Sequence, residues 1–243
     1  MGADLTPVER VGPLYVKRDD LYTWAGSAGG KARAIRKTIE DTGPIQGIVT
    51  AGPRDSSQAV VVATIAKTLN VPCQVHVPSG EVGPSIKRAQ DLGAIILPEN
   101  PGYHNVLVAH GRETAALLGW LWIAPGCEGN TMVFETAGQV ENIPAGNRIV
   151  VPVGSGMTMS GVLAGLLTYG LTNPVLGVMC GGDPTRRLDA WAPPGWRERA
   201  KLADGGHRAA SARLGGLELN AGYEAKCLPF LKADDVLWVV GGP

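Results

Sequence analysis

The sequence predicts an α/β protein whose parallel sheets carry helices on both faces. Three observations support this. Apolar, strand-like runs alternate with helix-like segments almost throughout the chain. Glycine (34) and proline (18) are abundant, as short loops between such elements require. A serine-rich loop and a glycine-rich loop each follow a strand and open a helix, so both could face one cleft. The 243 residues, 44% of them hydrophobic, suffice for a sizeable core in one large domain or two smaller ones.

Leu14 to Lys17 reads as a short strand running into Arg18-Asp19-Asp20. Gly29-Gly30 precedes a helix from about Lys31 to Asp41, stopped by Gly43-Pro44. Ile45 to Ala51 is an apolar strand, and Gly52 to Ser57 is a loop ending in residues that cap helices. Gln58 to Leu69 is a helix apolar nearly all round, hence well buried. The theme repeats: strand Cys73 to Val77, a helix from Gly83-Pro84 through Leu92, strand Ala94 to Leu97, and helix Asn105 to Leu118. Strand Leu121 to Ala124 and helix Thr131 to Asn142 follow. Ile149 to Val153 is a strand, Thr158 to Tyr169 a helix, and Val175 to Cys180 and Val236 to Val240 are strands. Residues 181 to 216 break the pattern and read as an irregular excursion or lid. Between Arg186 and Arg213 seven Lys/Arg face three Asp/Glu.

Composition narrows the function. Net charge is zero, so no global field draws nucleic acid or acidic membranes. Aromatic residues are scarce (5%), against a stacking-based single-strand binder. The uncharged stretch between Ile149 and Gly182 is interrupted by Pro152, Gly154, Gly156, Gly161 and Pro174, so it is not a membrane span. Cys73, Cys127, Cys180 and Cys227 form no C-x-x-C pair and read as reduced, mostly buried thiols of a cytoplasmic protein. No signal-peptide pattern opens the chain, and Met1-Gly2…Thr6 fits a myristoylation pattern only formally. His76, His104, His110 and His207 lack metal spacing, so no metal is expected.

Two motifs carry chemistry. In Val153-Gly154-Ser155-Gly156-Met157-Thr158 a buried strand delivers glycines whose amides can converge on an anion, with a helix start behind them. Ser155 and Thr158 can add hydroxyl donors. The loop lacks the Gly-Lys-Ser/Thr of a Walker loop, and no acidic residue completes a dinucleotide fingerprint. Lys31 is the second feature: an amine at a helix start, with Lys17, Arg18 and Arg33 near in sequence as cations that would lower its pKa. A flexible amine and a phosphate cradle together suggest a covalently held, phosphorylated aldehyde, pyridoxal 5'-phosphate (PLP), used on amino acids.

Val16-Lys17-Arg18-Asp19-Asp20-Leu21…Gly29-Gly30-Lys31-Ala32-Arg33 resembles the start of the fold-type II (tryptophan synthase β-like) PLP enzymes, in a shortened form. The branch it is most similar to contains 1-aminocyclopropane-1-carboxylate (ACC) deaminase and D-cysteine desulfhydrase. Gly30 replaces that branch's asparagine before the lysine, and Met157 replaces a glycine of its phosphate loop. Gly222-Tyr223-Glu224-Ala225-Lys226 is similar to its C-terminal Tyr-Glu-Gly-Lys. The resemblance implies a larger domain from 1–43 and 131–243, a smaller one at 44–130, the cofactor cleft between them, and a homodimer.

It also implies roles. Lys31 would hold PLP and shuttle the Cα proton. Gly154, Ser155, Gly156, Met157 and Thr158 would hold the phosphate. Glu224 would face the pyridine nitrogen, and Tyr223 the substrate, as an acid/base or a packing ring. Asp55, Ser56, Ser57 and Gln58 would line the substrate, with Ser56 near the cofactor's 3'-oxygen. The match is weakest here: Asp55 falls near a serine that is reactive in ACC deaminase, and an acid there would repel a free carboxylate. Simple capping of the following helix by Asp55 or Ser56 is the other reading of this loop.

The leading expectation is a PLP enzyme that breaks a Cα bond of an amino acid, deaminase- or lyase-like. A variant is a decarboxylase or lyase acting on an amino-acid group carried by a larger anion, such as a modified nucleotide or DNA, with the basic segment 186–213 as its lip. A non-catalytic PLP- or phosphate-binding protein is a further class. A nicotinamide oxidoreductase would leave Lys31 and Tyr223-Glu224 unexplained.

Overall fold

The computed structural model describes residues 4–100, 102–206 and 212–241; Met1-Gly2 and His207 lie outside the described residues. Strands β1 (Val8–Val11), β2 (Leu14–Arg18), β3 (Thr23–Trp24) and β4 (Ser27–Ala28) lead to helix α1 (Gly29–Thr42). There follow β5 (Ile48–Ala51), α2 (Ser57–Thr68), β6 (Cys73–Pro78), α3 (Pro84–Asp91), β7 (Ile95–Glu99), α4 (His104–Leu118) and β8 (Leu121–Ile123). Next come α5 (Asn130–Gly138), β9 (Ile149–Val153), α6 (Met157–Thr168), β10 (Val175–Met179), α7 (Thr185–Trp191) and α8 (Trp196–Arg199). The last strands are β11 (Ala200–Asp204), β12 (Ala212–Leu214), β13 (Leu217–Leu219) and β14 (Val236–Val239), with a 3-10 segment at Glu224–Phe230.

The chain divides into two compact units: Met1–Tyr22 with Ala28–Gly30 and Gly129–Pro243, and Thr23–Ser27 with Lys31–Glu128. The helix α1 therefore groups with the second unit from Lys31 onward, whereas the sequence reading places residues 1–43 with the larger domain. The cause is packing: Ile35 and Ile39 of α1 lie in the second unit's apolar core.

In the first unit six strands run in the order β1-β2-β14-β9-β10-β11. Only the edge pair β1–β2 is antiparallel; β2–β14, β14–β9, β9–β10 and β10–β11 are parallel. All five residues of β9 are buried, as expected of a central parallel strand covered on both faces. Helices α5 and α6 pack closely through small residues. A Cβ on Gly161 would overlap Thr136 and stand 2.9 Å from the Val133 carbonyl; one on Gly165 would stand 2.5 Å from the Ala137 carbonyl. The N-terminal segment is tied down by buried polar groups: Gln139 Oε1 accepts from Thr6 N–H (2.9 Å), and Lys17 Nζ donates to Thr6 O (2.7 Å) and Asn142 Oδ1 (2.8 Å).

The second unit is a four-stranded, wholly parallel sheet, β7-β6-β5-β8. Its core collects Val62, Ile65, Val75, Val77, Ile86 and Ile123 among others. On β6 and β7, Glu99 accepts from His76 Nδ1 (2.6 Å) and from His110 Nδ1 of α4 (2.8 Å).

Two expectations are corrected. The described part of 181–216 is not an irregular lid: β11 is a parallel edge strand, and Leu188 (0% exposed) and Trp196 (7%) belong to the first unit's core. Within the segment Arg197 pairs with Asp189 at 2.6 Å and stacks on Trp196, which leaves the surplus of Lys/Arg over Asp/Glu as counted. The strand predicted from Ile45 begins only at Ile48. Among the described residues no helix is long and apolar enough to cross a membrane, and no cluster of three His/Cys/Asp/Glu could hold a metal. The four cysteines are free, and burial pushes the Cys73 thiol up to about 12.

Because α6 has no room for a side chain at Gly161, Gly161→Val is expected to lower stability by about 1–3 kcal/mol in urea unfolding. Unchanged stability would mean that α5 and α6 separate at no cost.

Candidate active site

Parallel strands deliver their following loops to one edge of a sheet. In the first unit β9 leads into Gly154, β10 into Cys180, and β14 into Val240. Gly156 takes φ +92°, a left-handed conformation that admits glycine readily, and so turns the chain into α6. No side chain caps this helix. Its first amides therefore remain available to an anion; only Met157 N–H meets Ser155 Oγ, at 3.4 Å. Ser155 and Thr158 are half-buried, whereas the Met157 side chain is fully buried. Met157 can thus offer a ligand its backbone alone.

Tyr223 and Glu224 stand beside this loop. A Cβ on Gly154 would meet the Tyr223 ring at 3.0 Å, so the ring rests on the first glycine of the loop. Lys226, 7% exposed, anchors the turn by donating to the carbonyls of Cys180 (3.1 Å) and Gly206 (2.8 Å). Glu224 is completely buried. Its Oε1 accepts from Val240 N–H at 2.8 Å, and its Oε2 has no hydrogen-bond partner. Burial pushes the carboxyl up to about 7; backbone amides at 224, 240 and 241 pull it back only in part, and Asp20 adds to the rise. Gly29 completes the arrangement. It adopts φ +84°, and a Cβ there would overlap the Val240 carbonyl, so the first glycine before Lys31 is required by its approach to the end of β14.

In the second unit Lys31 Nζ lies 3.4 Å from Ser57 Oγ, at the start of α2. Asp55 and Ser57 are exposed and Ser56 is half-buried. Ser56 occupies the cap position, yet no side chain bonds the helix start, so capping by Asp55 or Ser56 does not occur. Gln58 corrects the sequence reading. Its Nε2 donates to Thr50 Oγ1 (3.0 Å) and Ala124 O (2.8 Å), and its Oε1 accepts from Gly126 N–H (2.7 Å) and Cys127 N–H (3.2 Å). Its two donors and two lone pairs are all engaged, which leaves nothing for a substrate. The sequence signal was available: a buried glutamine in an otherwise apolar helix needs partners.

Two of the three cations named from sequence as neighbours of Lys31, Lys17 and Arg18, are held by partners of their own. The Lys17 ammonium is buried on Thr6 and Asn142, and Arg18 bonds Glu9 and Asp20, each at 2.8 Å. The amides of Val240 and the anchoring Lys226 were missed by the sequence reading; the latter lay inside the quoted Tyr-Glu-x-Lys motif.

Taken unit by unit, these groups have the chemistry that a phosphorylated pyridine aldehyde calls for. The first unit offers an anion-ready loop and a buried carboxyl with one oxygen unserved; the second offers a primary amine. Burial disfavours the ionised form of this carboxyl. Moving Glu224 from its ordinary 4.5 to about 7 costs the folded protein on the order of 3 kcal/mol at pH 8. The penalty is absent below about pH 4, where the group is protonated folded or unfolded, grows from there to about pH 7, and levels off above it, where the group is ionised in both states. Glu224→Gln is therefore expected to stabilise the cofactor-free protein at pH 8 and not at pH 4, read by urea unfolding. A difference independent of pH would refute the buried ionisation.

Solved structures share this fold. One described as an ACC deaminase homologue superposes with a TM-score of 0.80 over 98% of this chain and 89% of its own, at 20% identity. Threonine deaminase from T.th. gives 0.70 at 17% identity, covering 98% and 92%. An L-serine ammonia-lyase from the fungus Rhizomucor miehei gives 0.67 at 16%, covering 98% and 93%. A search of curated protein sequences found no match. The pyridoxal-phosphate dependent enzyme family model matches residues 4–208, which take in Lys31 and the glycine loop but not Tyr223-Glu224. With an amine, an anion loop and a buried carboxyl already in place, that match settles the family: the chain belongs to the pyridoxal-phosphate dependent enzymes, of fold type II, and its cofactor is PLP.

Proposed function

We propose that the protein breaks a bond to Cα of an amino-acid substrate in the manner of a deaminase or lyase, with Lys31 carrying the cofactor. The observation that carries this reading is Glu224, fully buried with Oε2 unpartnered, in a unit that also presents the anion loop. When bound, PLP supplies an electron sink for the pair left at Cα. The chain's own residues do the rest. The first amides of α6, with the hydroxyls of Ser155 and Thr158, bind the phosphate. Glu224 holds a proton at the pyridine nitrogen. Tyr223, seated on Gly154, lines the substrate side. Lys31 Nζ, next to Ser57 Oγ, takes and returns the Cα proton.

The names of the structural neighbours, which include deaminases and ammonia-lyases, support this class of reaction. The reading in which the amino-acid group is carried by a larger anion drew on the basic segment 186–213. With Leu188 and Trp196 in the core, that segment is part of the first unit's framework, and its charge alone does not single out an anionic carrier. A homodimer remains the assembly the resemblance implies.

Borohydride reduction of the holoenzyme should fix PLP to Lys31, found by peptide mass, and Lys31→Ala should lose that adduct. Assay of D- and L-amino acids for ammonia, keto acid and CO2 identifies the bond broken. Glu224→Gln should keep PLP bound and slow Cα proton release by roughly a hundredfold, the scale of losing one electrostatic stabiliser of a transition state. Full turnover in that variant would remove the role given to Glu224.

A further inference from the structure

We infer that Asp55 is a specificity determinant: it excludes a free carboxylate from the start of α2, so that the substrate group accepted there is neutral or cationic. This rests on Lys31 being the cofactor lysine, as proposed above.

The argument begins with position. Lys31 Nζ stands 3.4 Å from Ser57 Oγ, the first residue of α2, so a substrate amine that takes over from Lys31 brings its Cα substituents beside that helix start. Asp55 is two residues from Ser57, at most about 8 Å along the backbone, inside one Debye length at ordinary salt. The loop is held in this place: Gly83 N–H donates to Arg54 O at 2.6 Å, and a Cβ on Gly83 would lie 2.9 Å from Asp55 Cβ.

Charge decides what this corner accepts. The end of α2 supplies roughly half a positive charge. With Lys31 committed to the cofactor, Asp55 sets a full negative charge against it. That charge is not matched locally: among the described residues the exposed Asp55 carboxylate has no hydrogen bond or ion pair. Arg54, its neighbour, is directed elsewhere, its Nη1 lying against Gly80 on the turn after β6. Nor does Asp55 cap α2, so its charge is not absorbed by the helix amides. The balance at the loop is negative, and a second carboxylate meets like charge.

The test uses the holoenzyme and visible-absorbance titration with D- and L-alanine and with the two alaninamides, which keep the amine and remove the carboxylate charge. The wild type should bind an alaninamide at least about tenfold more tightly than the matching alanine, and the gap should narrow at about 0.5 M salt. Asp55→Asn should bind alanine about tenfold better than wild type and leave alaninamide within about twofold. Asp55→Ser, which also removes the charge from an exposed side chain, should behave alike. An Asp55→Asn enzyme that gains no affinity for alanine, including one that binds neither compound, overturns the inference. The borohydride adduct separates the two levels. PLP recovered on a residue other than Lys31 removes the proposed function and this inference with it; PLP on Lys31 with no gain for alanine removes the inference alone.

Discussion

The first unit is organised around one carboxyl group that is stripped of water and only half served. Glu224 has one well-formed backbone hydrogen bond, from Val240 N–H, weaker help from the amides at 224 and 241, and an oxygen with no partner. A buried acceptor in this state is costly, and the structure around it is arranged to keep it there. Lys226 anchors the turn to two carbonyls, Tyr223 seats on Gly154, and Gly29 closes on the Val240 carbonyl with no side chain between. Each contact touches either the acid's own turn or the strand end that serves it. A fold that holds an unsatisfied acid this firmly is pre-organised for a ligand that brings the missing donor, and a protonated pyridine nitrogen is one.

Parallel topology explains why so few contacts suffice. In each unit the loops that matter leave the carboxyl ends of adjacent strands. Gly154, Cys180 and Val240 follow β9, β10 and β14, while Gly52 and Ala124 follow β5 and β8. Register then does the positioning: Val153 pairs with Met179, and Ile48 pairs with both Cys73 and Leu121. Gln58 shows the same economy. A single amide joins Thr50 on β5 to the turn after β8, fixing the floor beneath the start of α2.

Much of this was legible because alternation of strand and helix is a local pattern. The helix after Gly29-Gly30, the buried β9 and the glycine turn into α6 all follow from apolar runs and punctuation. What escaped depends on partners distant in sequence. Lys17 looked like a cation available to the chemistry, but Thr6 and Asn142 claim it. Gln58 looked like a ligand to substrate because it sits in the right loop; its four bonds reach residues 50 and 124–127. The charge count over 186–213 suggested a basic lip, since counting charges is blind to Leu188 and Trp196 folding into the first unit's core. Glu224 could be named from its motif, but its burial could not, since that depends on β14 and Gly29 arriving at the same turn.

The two helix starts, α6 and α2, differ in a way that chemistry can use. Both lack a side-chain cap and an acidic first turn, so both present free amides. At α6 the preceding residues are Gly154, Ser155 and Gly156, which add no charge and put little side-chain bulk in front of the helix amides. At α2 the preceding residues include Asp55, with its charge unmatched among the described residues. Equal helix dipoles thus produce unequal electrostatics, because an acid placed before the cap adds its full charge to a field worth only about half of one. The positive end of a helix is a default that one side chain can reverse, and in this chain it is reversed at the helix start beside Lys31.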